Sequence, residues 1–347
     1  MRTPLISILV PTHNRCDLLK ETLDSIFNQN SGLEEIELII SNDGSKDGTE
    51  AYLDQLKTNS KFPIYVFNHD KNIGGPGNWR FLLEQAKGEF VYLLSDDDHI
   101  KSNFLKNYIA VITKYPDIDI VYSGIHYCDE NMRPRSESLI SSVSGLVDSV
   151  ERLKNQLKSN HMVMSSIYRR EVFLRAGGWQ DKYGACIDVG GFTMMCTQSR
   201  QTYFINEALF CFRLGLQTWS SFRPEIQKKI YKSSRLIIDD VSAWAKRDNP
   251  DSVNFFKSCY SLHAQGILNM LDLKIVHGEI SRKELKTLLS EVYDVYPEVL
   301  KLSSFYKLHV VCFFGVRWLE VLRTWLGRGI HGTSVFEKDF VPQGELK

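Results

Sequence analysis

The sequence predicts an α/β fold, with a mostly parallel sheet flanked by helices and a helical C-terminal extension. Three observations carry this. Short β-rich runs alternate with amphipathic stretches over the first 125 residues, as strands joined by crossover helices do. Three of those runs end in clusters of polar residues, and in such sheets ligands lie beyond the carboxyl ends of the strands. From Pro224 onward, apolar positions fall almost wholly at helical spacing.

In chain order, LISILV (5–10) reads as the first strand. Asp17 is placed to cap a helix whose Leu19, Leu23, Ile26 and Phe27 recur at helical spacing. IELII (36–40) is a second strand, and 49–56 a helix started by Asp47 and Thr49. PIYVF (63–67) is a third strand, and WRFLLEQA (79–86) a helix stopped at Gly88. FVYLL (90–94) is a fourth strand, 103–115 a helix, and IDIVYS (118–123) a fifth strand. Beyond it, 145–159 reads as helix, 162–170 as strand, 170–179 as a short helix, 188–200 as helix, and 202–213 as two short strands. Helices are expected over 225–246, 252–275, 281–293 and 302–326, with Pro224 suited to a first helical position. The expected domains are 1–222, catalytic, and 223–347, helical and either membrane-associating or oligomerising.

Composition is that of a folded globular protein: 43% hydrophobic, 24% charged and 12% aromatic over 347 residues. A formal net charge of zero disfavours nucleic acid as a partner, because phosphate neutralisation needs a cationic surface. Seven scattered cysteines form no CxxC pair and suit free thiols in a reducing cytoplasm. The N-terminal apolar run passes at once into PTHNR, which reads as a strand and not as a signal peptide. No apolar stretch reaches the roughly 20 residues that span a bilayer.

The strand ends carry the chemistry. The fourth runs into Asp96, Asp97 and Asp98. Three adjacent carboxylates repel one another, and a hard divalent cation such as magnesium, manganese or calcium relieves that repulsion. A solvated turn capping the next helix would also tolerate them. Asp43, in NDGS, is placed to accept hydrogen bonds from a base or ribose, although Asp-Gly is equally a turn signal. KNIGGPGNW (71–79) allows close backbone approach but is neither a P-loop nor a GxGxxG motif. Asp188, in GACIDVGGFT, is a candidate general base, with Gly190 and Gly191 leaving room for a substrate; an N-cap is the plainer reading. Asn78, His161 and Trp179 are candidate donor or acceptor contacts.

The motifs SILVPTHNR, LIISNDGSKDGT, NIGGPGNW, AKGEFVYLLSDDD and CIDVGGFT, in this order, resemble glycosyltransferase family 2, whose fold is GT-A. NIGGPGNW and SDDD are similar to variants found in bacterial O-antigen transferases, abequosyltransferases among them. The resemblance implies an inverting, metal-dependent transfer of a sugar from a nucleotide sugar, UDP-linked by family frequency, to a hydroxyl of a polyprenol-linked or polysaccharide acceptor. It implies nucleotide contacts from Pro11, Thr12, Asn14, Arg15, Asp43 and Asp96. It places Mn²⁺ or Mg²⁺ on Asp97, with Asp98 sharing it, and makes Asp188 the catalytic base. The chain departs from the family pattern at Leu94, where many members have an acid, and at Ile187, where many have Glu. The Arg-Asn pair common before the fourth strand is also replaced around 78–80. The weighed alternatives are a nucleotidyltransferase, which would want a glycine-rich basic loop after the first strand, and a non-catalytic nucleotide- or sugar-binding scaffold.

The tail, YKLHVVCFFGVRWLEVLRTWLGRGIHG (306–332), mixes aromatic and basic residues as interfacial helices do. Lys301, Lys307, Arg317, Arg323 and Arg328 face a single acid there, Glu320, which favours anionic lipid. The alternative is a core or dimer helix. Together with a lipid-linked acceptor, this predicts a peripheral enzyme on the cytoplasmic face of the inner membrane.

Overall fold

The computed structural model describes residues 3–56, 62–159, 163–214, 224–276 and 279–314. It divides into two compact units: Met1–Asp181 with Ile187–Trp219, and Lys182–Cys186 with Ser220–Lys347.

The first unit holds the sheet. Its elements are β1 (Ile6–Thr12), α1 (Cys16–Phe27), β2 (Ile36–Asn42), α2 (Thr49–Leu56), β3 (Ile64–Asn68), α3 (Gly75–Gln85), β4 (Phe90–Leu93), β5 (His99–Ile100), α4 (Phe104–Lys114), β6 (Ile120–Cys128), β7 (Pro134–Ser138), β8 (Gly145–Asp148), α5 (Ser149–Ser159), β9 (Ser166–Arg169), α6 (Arg170–Arg175), α7 (Ile187–Cys196) and β10 (Gln201–Arg213). The strand order is β3-β2-β1-β4-β9-β6-β10-β5, with β7 paired to β6 and β8 to β10. β3, β2, β1 and β4 are parallel, as the alternation predicts. β9 lies antiparallel between β4 and β6, so the fifth predicted strand is not the neighbour of the fourth.

Ile6, Ile8 and Val10 of β1 pack with Leu19, Leu23 and Ile26 of α1 and with Leu38 and Ile40 of β2. Each such side chain, withdrawn from water, contributes about 1.5–3 kcal/mol. One polar knot crosses this core: Ser7 Oγ donates to Glu37 at 2.6 Å and accepts the Gly88 N–H at 2.8 Å. A Cβ on Gly88 would lie 2.6 Å from the Ser7 nitrogen, so only glycine fits there.

Several local readings change. Asp17 does not cap α1: Arg15 is the N-cap residue and has no capping side-chain bond, while Asp17 pairs with Lys20 one turn on. The cap comes from another segment, since Asp47 Oδ2 accepts the Cys16 N–H at 2.9 Å. Residues 145–148 are strand, and the helix begins at Ser149, where Asp148 Oδ1 accepts the N–H groups of Val150 and Glu151. Residues 201–213 form one strand and not two, with register shifts around Ala208 that a periodicity count reads as a break.

The second unit is helical: α8 (Pro224–Asp248), α9 (Val253–Val276), α10 (Arg282–Val295) and α11 (Ser303–Phe314). α10 buries Leu285, Leu288, Leu289 and Val292 on one stripe and opens with a Ser281–Glu284 capping box. Segment 182–186 belongs to this unit, where Tyr183 donates its hydroxyl to Asp240 at 2.7 Å. The boundary expected near 222 and most of the basic aromatic tail lie outside the described residues.

Candidate active site

Pro11 and Thr12 pair in parallel register with Ser41 and Asn42, so the loops after β1 and β2 leave the sheet side by side. They are laced together. Asn14 adopts a left-handed conformation (φ 52°), which asparagine tolerates better than most residues. From there its N–H donates to Ser45 Oγ at 2.9 Å, and its Oδ1 accepts the Lys46 N–H at 2.7 Å. His13 Nδ1 lies 2.7 Å from the Asp43 carbonyl and donates to it, which leaves Nε2 to accept from the Asn14 amide at 3.0 Å.

Asp43 binds the glycine-rich segment, accepting the N–H of Ile73 at 2.6 Å and of Gly74 at 3.1 Å. Gly44 (φ 68°) lies against the same segment, where a Cβ would come within 2.9 Å of the Lys71 carbonyl carbon. The segment thus reaches the same edge as the acids, held by a carboxylate that keeps lone pairs for a further donor. Asn78 does not face a ligand space: it is buried, donates Nδ2 to the Ser41 carbonyl at 3.0 Å, and ties α3 to β2. Its Oδ1 has no partner among the described residues.

Asp96, Asp97 and Asp98 follow β4 and are all buried. A single nitrogen, Arg15 Nη1, lies 3.0 Å from Asp96 Oδ1 and 2.8 Å from Asp97 Oδ2. Burial pushes the Asp96 carboxyl up to about 6; Arg15 opposes the shift and the Asp97 charge adds to it. Asp98 is held well above the usual carboxylate range, by burial first and then by Asp97. Its Oδ1 accepts the Arg213 N–H at 2.9 Å and its carbonyl accepts the Thr22 hydroxyl at 2.9 Å, so Asp98 is engaged in the fold. Arg213, at the end of β10, donates Nε to the Asp97 carbonyl at 2.8 Å and Nη2 to Glu21 at 2.6 Å, and also reaches the Glu130 carbonyl. Neither Arg213 nor Glu21 is marked by any motif. A lone arginine 116 positions from its partner leaves no local signal.

Among the described residues, no three His, Cys, Asp or Glu side chains converge to hold a metal ion. Asp97 Oδ1 has no hydrogen-bond partner among them, and carboxylate oxygen suits magnesium or manganese. These residues fit a cation held by one or two carboxylates and completed by phosphate oxygens of a substrate, as magnesium sites commonly are. They do not fit an all-protein cage.

Asp188 sits in the first turn of α7 and lines a small pocket with Leu93, Met164, Tyr168, Phe173, Trp179 and Phe192. These apolar walls raise its carboxyl pKa by desolvation. Leu93 is the last residue of β4, three positions before Asp96, so the pocket borders the strand end that carries the acids. Trp179 packs against Phe173 (ring centroids 5.1 Å) and Trp79 (5.7 Å), forming a rigid aromatic wall. Gly190 and Gly191 do not open space for a substrate; both are buried. The missing Cβ of Gly191 lets the Gly178 carbonyl approach to 2.8 Å of where it would sit. His161 lies outside the described residues.

Residues 7–177 match the profile of Glycosyl transferase family 2. Over 125 residues the chain is 34% identical to the abequosyltransferase RfbV of Salmonella typhimurium, covering 36% of this chain and 35% of that protein. Over 192 residues it is 29% identical to the GalNAc(5)-diNAcBac-PP-undecaprenol beta-1,3-glucosyltransferase of Campylobacter jejuni, covering 52% of this chain and 61% of that one. The chain thus matches about a third of the length of the first of these relatives and about three fifths of the second. The crystal structure of S. aureus TarS 1–349 in complex with UDP superposes with a TM-score of 0.64 at 18% identity, covering 93% of this chain and 92% of that one. That likeness establishes the GT-A fold expected for the sheet and its flanking helices. The edge loops of β1, β2 and β4 all fall inside the matched region, and the chain therefore carries a glycosyl transferase family 2 domain.

Proposed function

We propose that this protein transfers a sugar, with inversion at the anomeric carbon, from a nucleotide diphosphate sugar to an acceptor hydroxyl in bacterial surface glycan synthesis. The observation that carries this is the shared strand end. β4 delivers Asp96 and Asp97 beside the β1 and β2 loops, and its last residue walls the pocket that holds Asp188. A donor's nucleotide at the first three loops would set its sugar toward that pocket.

In this reading Asp43 and the loop 11–15 hold the nucleotide, with Asp96 at its ribose. Asp97 is the protein's cation ligand. The cation, when bound, offsets the negative charge that builds on the departing diphosphate. Asp98 is assigned to the fold, as the brace between its loop and β10. Asp188 takes the proton from the acceptor hydroxyl, and its raised pKa strengthens it as a base near neutral pH. Trp179, buried against Phe173 and Trp79, walls the pocket beside Asp188 and so shapes the space next to the base. UDP is the favoured nucleotide, by family frequency and by the UDP bound in the TarS structure. The Campylobacter relative's undecaprenol-linked acceptor supports a polyprenol-linked substrate, and with it peripheral contact at the membrane through the tail. No helix among the described residues is long and apolar enough to cross a bilayer.

The test is release of UDP from UDP-sugars in the presence of Mn²⁺, followed with wild type and Asp188→Asn. Loss of a positioned base costs about 10²–10⁴-fold in turnover, and UDP affinity should be unchanged. Full activity in Asp188→Asn removes that residue from the mechanism. Absence of UDP binding in wild type sinks the reading as a whole.

A further inference from the structure

We propose that Arg15 is a built-in counter-ion of the Asp96–Asp97 pair, which the donor's diphosphate must draw away before Asp97 takes a divalent cation. One side chain would then couple nucleotide binding to metal binding. The inference rests on the metal-dependent reading above and adds an order to its steps.

The geometry points this way. Arg15 is the one cation within ion-pair distance of the Asp96 and Asp97 carboxylates among the described residues. Arg213, at the end of β10, spends its guanidinium on two backbone carbonyls, Glu21 and His99. Arg15 holds both acids through Nη1 alone, while its Nε and Nη2 engage none of the described residues. Guanidinium donors left unused suit phosphate oxygens, whose geometry the planar fork matches in bidentate pairs. The side chain is 31% exposed, whereas those of Asp96 and Asp97 are 7% and 10% exposed, so the arginine is the most solvent-accessible member of the three. It also sits at the N-cap of α1, the end of the laced loop and not the middle of an element.

A divalent cation approaching Asp97 meets a positive charge already 2.8 Å from one of its two oxygens. Like charges there repel, so the metal alone binds weakly. A diphosphate offers Arg15 stronger, bidentate acceptors. Once Arg15 turns to them, Asp97 is left with an uncompensated charge and the cation enters. By linkage, the metal strengthens nucleotide binding by the same factor.

The test is Mn²⁺ binding to the full chain, read by electron paramagnetic resonance and by calorimetry. UDP complexes Mn²⁺ itself, so the decisive comparison is made without nucleotide. Arg15→Gln should bind Mn²⁺ about tenfold or more tightly than wild type, within the usual span of coupling between sites. Arg15→Lys, which keeps the charge, should stay near wild type. Adding Asp97→Asn to Arg15→Gln should erase the gain. Should Arg15→Gln unfold, Arg15→Met, which keeps the aliphatic stem, repeats the measurement. A glutamine or methionine variant that is folded yet binds Mn²⁺ no more tightly than wild type overturns the inference. If wild type and variants bind no Mn²⁺ even with saturating UDP, the metal-dependent reading fails first and this coupling falls with it.

Discussion

The two edges of the sheet carry buried acids in opposite states. At the amino ends of the strands, Asp119 is fully buried, accepting from Arg169 Nε at 3.2 Å and from the Arg200 N–H at 2.7 Å. Arg169 uses its whole fork, on Asp119, Glu89 and the carbonyls of Pro116 and Ile118, and stacks 4.6 Å over Phe90. At the carboxyl ends, two of three adjacent acids, Asp96 and Asp97, meet Arg15 through one nitrogen, and burial holds Asp96 and Asp98 above the ordinary carboxylate range. The first edge is closed, with each donor matched to an acceptor. The second keeps spare acceptors and spare donors within reach of each other. A fold tolerates such a surplus where a ligand supplies the missing partners, and this contrast is what marks the second edge, and not the first, as the candidate site.

The largest effect that would break this contrast lies at the closed edge. Asp119→Ala leaves Arg169 half-paired in the interior and should cost about 3–5 kcal/mol in chemical denaturation, while the protein that remains folded binds UDP as before. A loss of UDP affinity without loss of stability would mean that the closed edge is not merely structural. Next comes the brace between the two roles. Arg213→Leu frees the Asp97 carbonyl and strands Glu21, so donor affinity in Mn²⁺ should fall about 10- to 100-fold, as when groups that orient metal ligands are lost. Unchanged affinity would show that the acidic loop holds itself. The smallest effect sharpens the contrast through pH. Asp188 must be ionised to act as a base, and its pKa is raised by burial. Turnover should therefore fall, as pH drops, through a pKa above the value of about 4 usual for aspartate, with the plateau on the alkaline side. An acid limb at the ordinary value would mean that the Asp188 pocket is wet in the working enzyme.

Much of the catalytic half was legible because its signals are local. β1 to β4 and α1 to α4 appear within a few residues of their readings, since alternation of burial and helical periodicity report the face each side chain buries. The loops after β1, β2 and β4 were legible for the same reason, as they end strongly apolar runs. Misreadings occur where a neighbour overrides local preference. β8 reads as the first turn of α5 because GLVD carries no alternation, and only its pairing with β10 makes it a strand. The sequence suggests Asp17 as the cap of α1, whereas Asp47, 31 residues from Cys16, supplies it. The spacing of Gly190 and Gly191 suggests room for a substrate, but both are buried and Gly191 lets the Gly178 carbonyl pack close.

By itself the sequence determined the main strands and helices of the first 125 residues, though not the two-residue β5, and which residue types stand at their ends. Both follow from water's rejection of apolar surface, a force each segment registers in its own spacing. Only the tertiary structure decided that β9 enters antiparallel between β4 and β6, that Arg15 reaches acids 81 and 82 positions away, and that Arg213 braces the loop from 116 away. Hydrogen bonds and ion pairs act over a few ångströms in space whatever the separation along the chain, so no periodicity records them.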